Sequence, residues 1–283
     1  MAVRLCGLGD NVVDRYVDQE LMYPGGNAVN VAVHARRSGA DAAFIGVIGT
    51  DDEGDLVKSS LLQEGVNVDR LRRADGQTAF ATVYTDAVGN RSFGLCLKGV
   101  SLFLPDAADL EYLAGFDIVH LCETIRMEES LPALAARAAV SYDFSDRDND
   151  YAAPLLQWIT IATFSRPDST TEEIEAHIAW AHEQGAGWVV VTRGALGSAI
   201  SDGNRIHHQK AAPAHVIDTL GAGDSFIARL VVRLWEGVAL SDAASEAARY
   251  SAEVCGVPGG FGYGRALISA NDSATLAPIT NEG

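Results

Sequence analysis

The 283-residue chain carries 38 acidic against 21 basic residues, a formal charge of −17, and 48% of it is hydrophobic. That length and apolar content suit one large core with a single elaboration, and the negative surface argues against nucleic acid or a membrane as a partner. Cys6, Cys96, Cys122 and Cys255 lie far apart among apolar neighbours with no CxxC pair, so they read as buried free thiols of a reducing cytoplasm. Gly7, Gly9 and Asp10 interrupt the first ten residues, which therefore lack the apolar centre of an export signal, and no stretch approaches about 18 apolar residues.

In chain order, short apolar runs at 3–8, 42–48, 118–122, 140–144, 160–164 and 188–192 read as strands buried on both faces. Between them, helical patterns fall at 28–37, 53–63, 128–139, 152–158 and 171–184, punctuated by Gly, Asp or Pro. Strand–helix alternation predicts an α/β fold with a mostly parallel central sheet and helices on both faces. Two regions break the rhythm, near 14–23 and 78–97. In the second, the segments 78–85 and 91–95 flank a turn-forming Ala87-Val88-Gly89-Asn90, which predicts a β-hairpin outside the main sheet and a small β-stranded lid. A further short strand is expected at 214–217 and an apolar helix at 225–234. The domain spans 1–268, and a loosely ordered polar tail covers 269–283.

Chemistry concentrates in two places. Gly9-Asp10-Asn11 and Asp14, followed by Gly25-Gly26-Asn27-Ala28-Val29-Asn30, bring short carboxylates, amides and a Gly-Gly turn to the end of the first strand and the start of the first helix. A polyhydroxylated ligand needs such a lining, because each hydroxyl both donates and accepts. Taken singly, each of these residues reads equally well as a helix cap or a turn. Late in the chain, Asp218-Thr219-Leu220-Gly221-Ala222-Gly223-Asp224-Ser225-Phe226 sets glycines and a carboxylate where a helix begins. Unpaired N–H groups there attract anions, although Asp224 reads as readily as an ordinary cap.

Rival chemistries fail on spacing. Gly7-Leu8-Gly9 follows a strand, but Val12 stands where a dinucleotide fingerprint needs its third glycine, and no GxxxxGK[ST] or GxSxG sequence occurs. His177 and His182, five apart, and His207-His208 show no zinc-ligand spacing and read as surface residues.

The Gly25-Gly26-Asn27 helix start together with the 218–226 run resembles the ribokinase/PfkB family of ATP-dependent sugar kinases. Between them, the segment from Ile45 to Gly54 matches the family's IGxxGxDxxG, and 191–198 falls where its nucleotide strand and loop lie. Within the family, Gly9–Asp14, the Gly25–Val33 stretch, Asp143-Phe144-Ser145-Asp146 and Val216–Thr219 look most like the fructoselysine 6-kinases. The resemblance covers roughly residues 3 to 265. It implies a ribokinase-like fold and transfer of the γ-phosphate of ATP, with Mg2+, to a sugar hydroxyl. A fructosamine such as fructoselysine is the leading substrate; the alternatives are another sugar or a nucleoside (fructose, ribose, adenosine type) as acceptor, or a non-catalytic sugar- or nucleotide-binding protein on the same fold.

The same resemblance implies roles. Asp224 is the general base, and the Gly221, Ala222 and Gly223 amides form an anion hole. Asp10, Asn11, Asp14, Gly25, Gly26, Asn27, Asn30 and Arg91 line the sugar site. Thr192, Gly194 and Gly197 contact the nucleotide, and Asp218 with the Thr219 backbone would hold a monovalent cation such as K+. A homodimer through the lid is also implied. Two departures stand out: Phe164-Ser165-Arg166-Pro167-Asp168 replaces the family's Asn-x-x-Glu, which leaves the magnesium shell unassigned, and Arg193 sits inside Thr-x-Gly, where it reads as meeting phosphate or, preferably, as facing solvent. The 259–264 glycine-rich segment reads as a flexible loop near the adenine or cation site.

Overall fold

The computed structural model describes residues 2–85 and 91–267, with the backbone alone at 85, 91 and 92. The first part of the chain forms β1 (Arg4–Leu8), β2 (Val12–Tyr16), β3 (Leu21–Gly25), α1 (Asn27–Arg37), β4 (Asp41–Ile48), α2 (Asp52–Gln63) and β5 (Leu71–Arg73). Next come β6 (Phe80–Thr85), β7 (Arg91–Leu97), α3 (Ala107–Leu113), β8 (Ile118–Cys122), α4 (Leu131–Ala135), β9 (Ala139–Asp143) and α5 (Asn149–Ala152). The remainder forms β10 (Ile161–Ser165), α6 (Thr171–Glu183), β11 (Trp188–Thr192), β12 (Ser198–Ser201), β13 (Ile206–Gln209), α7 (Ala222–Trp235), α8 (Leu240–Val254) and β14 (Arg265–Ala266).

Nine strands make the main sheet in the order β13-β12-β11-β10-β9-β8-β1-β4-β5, parallel from β11 to β5 and antiparallel at β12 and β13. Alternate residues of one strand feed opposite faces. Along β4, Ala42, Phe44 and Ile48 join a core beneath α1, α2, α7 and α8, whereas Ala43 and Ile45 join the core beneath α3, α4 and α6. Two buried faces per strand explain why these segments read as continuous apolar runs. Helix α1 lies so close to β1 that a Cβ on Gly7 would stand 2.3 Å from the Ala28 carbonyl oxygen. The α6 start carries a reciprocal capping box between Thr170 and Glu173.

The second sheet runs β14-β3-β2-β6-β7. Strands β6 and β7 form the expected antiparallel pair, and β2 pairs parallel to β6. Asp51 ties its base to the main body, capping α2 through the Gly54 N–H at 2.9 Å and accepting the Thr78 N–H at 2.8 Å. The turn expected at 87–90 and the tail at 269–283 lie outside the described residues.

Five expectations are corrected. The helix expected at 128–139 is a single 3-10 turn, Glu128–Ser130, followed by five-residue α4, because the Ala139 N–H must already reach the Asp117 carbonyl to begin β9. The helix at 152–158 is instead α5 and a 3-10 turn, Leu156–Trp158, with Pro154, which cannot donate to a helix, between them. No strand forms at 214–217: Ile217 N–H and Asp218 N–H both go to the Cys255 carbonyl at the end of α8, and Val216 and Ile217 are exposed. Cys96, on β7, is exposed, and only Cys6, Cys122 and Cys255 are buried. The histidines at 177 and 182 are half-buried rather than superficial: His177 packs edge-on against Phe164 and tilted against Trp180, and His182 bonds Ser201 Oγ.

Candidate active site

The sheet reverses its order between β1 and β8, since the chain steps outward through β4 on one side and through β9, β10 and β11 on the other. Loops leaving adjacent strands part at such a point and open a crevice at their carboxyl ends. Asp10 follows β1 and turns its carboxylate onto the start of α1, accepting the Asn27 N–H at 3.1 Å and the Ala28 N–H at 2.9 Å. The N-cap residue itself, Gly26, offers no side chain. Its φ of +102°, and a Cβ that would lie 2.9 Å from Asn11 Cα, leave room for glycine alone.

Asn27 then joins three elements. Its Nδ2 donates to Asp143 Oδ2 at 2.9 Å and to Asp224 Oδ1 at 2.8 Å, while its Oδ1 faces His120 Nε2 at 2.8 Å. One turn further along α1, Asn30 Nδ2 donates to the second Asp224 oxygen at 2.7 Å. The Asp224 carboxylate, in the first turn of α7, is thereby fixed from two sides by a helix nearly 200 residues away in sequence. Burial, together with the negative charges of Asp143 and Asp10, pushes the Asp224 carboxyl up to about 7, against the pull of the Asn30 and Asn27 donors. Burial likewise raises Asp143 to about 6, although the Ser145 N–H and Asn27 favour its charged form. A carboxylate near 7 is poised to take a proton at neutral pH.

Beside the start of α7 lies a cleft of about 670 Å³. Thr192, Gly194 and Gly197 line one wall of it, and Thr219, Ala222 and Gly223 line another. Gly221 has φ +72°, and a Cβ there would come within 2.8 Å of the Gly260 backbone. Gly223 is exposed, and a Cβ on it would meet nothing. The Ala222 N–H makes a 3.3 Å bond to the Thr219 carbonyl, and the α7 start, where helical N–H groups lack partners four residues back, forms part of the cleft lining. Asp218 braces this loop, since its carboxylate accepts from Tyr16 Oη at 2.6 Å, the Gly259 N–H at 2.9 Å and the Leu220 N–H at 2.9 Å.

Residues 5–261 match the family model described as pfkB family carbohydrate kinase. The chain belongs to that family. This kinase is 40% identical over 268 residues to fructosamine kinase FrlD of Bacillus subtilis, covering 93% of this chain and 94% of that one. It is 36% identical over 245 residues to fructoselysine 6-kinase of Escherichia coli strain K12, covering 86% and 93% of the two chains. Its fold is ribokinase-like: it superposes on the Arabidopsis thaliana ribokinase solved with ribose and ATP at a TM-score of 0.80, with 24% identity and coverage of 92% and 95%.

Within this kinase the sugar-site residues expected from sequence separate into distinct positions. Asp10, Asn27 and Asn30 meet at the reversal point with Asp224. Asp14 on β2 is buried beside Gly25, where a Cβ would stand 2.5 Å from its Oδ2. Asn11 is fully buried and turns inward, donating to the Val47 carbonyl at 2.8 Å. The Arg91 side chain lies outside the described residues. Arg193 does not face solvent: it is half-buried and donates to the Ser169 carbonyl at 2.8 Å, because the turn after β11 folds it back onto the β10–α6 loop. The 259–264 segment is anchored, with Gly259 on Asp218, the Gly260 carbonyl 3.0 Å from His34 Nε2, and Phe261 in the core. Sequence reasoning gave no role to His120, Ser141 or Asp143. The available signal was a histidine inside the otherwise apolar run Ile118–Cys122, which a buried strand tolerates only when the ring is partnered.

Proposed function

We propose that this kinase transfers the γ-phosphate of ATP to a hydroxyl of a fructosamine, with the 6-hydroxyl of fructoselysine as the leading acceptor. The observation that carries the reading is Asp224 in the first turn of α7, its carboxylate held by Asn27 and Asn30 of the α1 crevice while its helix neighbours Ala222 and Gly223 line the cleft. Asp224 takes the proton of the sugar hydroxyl as its oxygen bonds to the γ-phosphorus, and the bond from that phosphorus to the β–γ bridging oxygen breaks to release ADP. The N–H groups of Gly221, Ala222 and Gly223 receive the charge gathering on the transferred group. The relatives named as fructosamine and fructoselysine kinases support the acceptor. So does the charge of the crevice, where Asp10, Asp143 and Asp224 suit a substrate bearing an ammonium group.

The cleft fits a nucleotide: its size and its lining of glycine, alanine and threonine leave space for an extended ligand, and Gly223 is open where a Cβ would intrude on a phosphate. Mg2+ is expected to arrive with ATP and neutralise the phosphates; among the described residues no group of three or more His, Cys, Asp and Glu side chains is placed to hold it, so no protein ligand is assigned. Asp218, already engaged by three donors, serves as a brace for the loop before α7. The small sheet is read as a lid that excludes water from the transfer. A second copy of the chain is read as the partner of its β7 edge, in a kinase working in the cytoplasm.

Asp224→Asn is expected to cut turnover in an ADP-release assay by about 10²–10⁴-fold while sugar binding, followed by calorimetry, persists. A panel of fructoselysine, fructose, ribose and adenosine tests the acceptor. Preference for a neutral sugar or a nucleoside over fructoselysine overturns the substrate reading, and normal turnover in Asp224→Asn overturns the mechanism.

A further inference from the structure

We infer that His120 is a positioning residue for the transfer: its Nε2–H holds the Asn27 amide in the one orientation that donates to Asp224 and Asp143 together. The inference rests on Asp224 being the base. A side-chain amide turned by 180° would aim Oδ1 at two carboxylates and repel both, so a third partner must decide which end faces them. That partner is 2.8 Å from Asn27 Oδ1, at His120 Nε2. An Oδ1 acceptor requires the nitrogen opposite to carry a proton, which leaves Nδ1 of a neutral ring as the acceptor. Ser141 Oγ, 2.9 Å from Nδ1, supplies the matching O–H. The chain Ser141 to His120 to Asn27 to the two carboxylates then has every donor facing an acceptor.

The sheet makes this chain rigid. His120 lies on β8 between β1 and β9, paired in register with Gly7 on one side and with Ser141 on the other, and it is fully buried. Gly7 leaves the space above it to the start of α1, which carries Asn27. Burial lowers the His120 pKa to about 3, so the ring remains the neutral donor at any pH where the kinase turns over. A charge on it would disturb the tautomer that the two hydrogen bonds select.

The test compares His120→Leu, His120→Gln and Ser141→Ala in the full chain, with MgATP and the best acceptor of the panel above. His120→Leu is expected to lower kcat about 10–100-fold with little change in either KM. It should also move the acid limb of kcat/KM to higher pH, because the ionised Asp224 loses an oriented donor. His120→Gln, whose terminal amide can donate from a similar place, is expected to restore most of kcat and the parent acid limb. Ser141→Ala should fall between, with the limb displaced in the same direction. Parent-like kcat and acid limb in His120→Leu overturn the inference. So does an equal loss in the Leu and Gln variants with an unmoved limb, which is how a packing role would read. If melting shows that His120→Leu does not fold, the Ser141→Ala limb decides, and an unmoved limb there overturns the inference. Asp224→Asn run alongside separates the two readings: activity in that variant sinks the base, whereas its loss beside an unaffected His120→Leu sinks only the positioning.

Discussion

Three carboxylates share the crevice, and burial, more than their mutual repulsion, raises Asp224 and Asp143 toward neutrality. Asp224 near 7 and Asp143 near 6 are both raised, and Asn27 Nδ2 donates to each. Because the base must be ionised to accept a proton, kcat/KM for the sugar is expected to fall on the acid side of about pH 7, the limb belonging to the coupled pair rather than to one residue. Asp143→Asn removes a negative charge that disfavours ionised Asp224, so the limb should move to lower pH. Rate profiles between pH 5 and pH 9, taken on parent and variant, check the sign. A limb that stays put or moves upward would show that Asp143 does not act on the base through charge. The short carboxylates and amides of this site were legible as residue types in the sequence. Their partners were not, because Asn27, His120, Asp143 and Asp224 come from four separate elements whose meeting is a property of the sheet order.

The α7 start illustrates what a single element decides. Gly221 and Gly223 stand two apart in one motif and look equivalent in the sequence, but their surroundings differ. Gly221→Ala forces a side chain into the left-handed region, 2.8 Å from the Gly260 backbone, and is expected to cost about 2–3 kcal/mol in chemical denaturation. Gly223→Ala enters the first helical turn with open space around the new methyl, so stability should hold or rise by up to about 1 kcal/mol. Turnover should nonetheless drop by about 10–100-fold, as the methyl occupies the place proposed for a phosphate. A Gly223→Ala enzyme of full activity would remove that residue from the anion hole. Elements with strong apolar runs, such as Ile118–Cys122 and Trp188–Thr192, could be bounded from sequence to the residue. The 152–158 and 214–217 segments could not, since Pro154 breaks the first and the second spends its N–H groups on the end of α8.

At the scale of the molecule, β7 is the last strand of the small sheet among the described residues. On β7, Phe93, Leu95 and Leu97 alternate along one face with 62%, 59% and 42% of their surfaces exposed. An edge strand carrying that much apolar surface is a template for another chain. Phe93→Asp is therefore expected to convert a sedimenting dimer to monomer without lowering the melting temperature. A parent chain that sediments as a monomer at micromolar concentration would overturn the pairing. The overall arrangement follows from composition and alternation: short strands buried on both faces require helices on both sides, and the glycine-rich starts of α1 and α7 mark where ligands can approach backbone. The sequence by itself determined the α/β class, the family and the two motifs that face each other, because these depend on local spacing. The tertiary structure decided the rest, namely which carboxylate sits near neutrality, that a buried histidine reaches Asp224 through Asn27, and that Asn11 and Arg193 turn inward. Those outcomes depend on burial and on distances of under 3 Å between residues far apart in the chain, and no sequence spacing encodes either quantity.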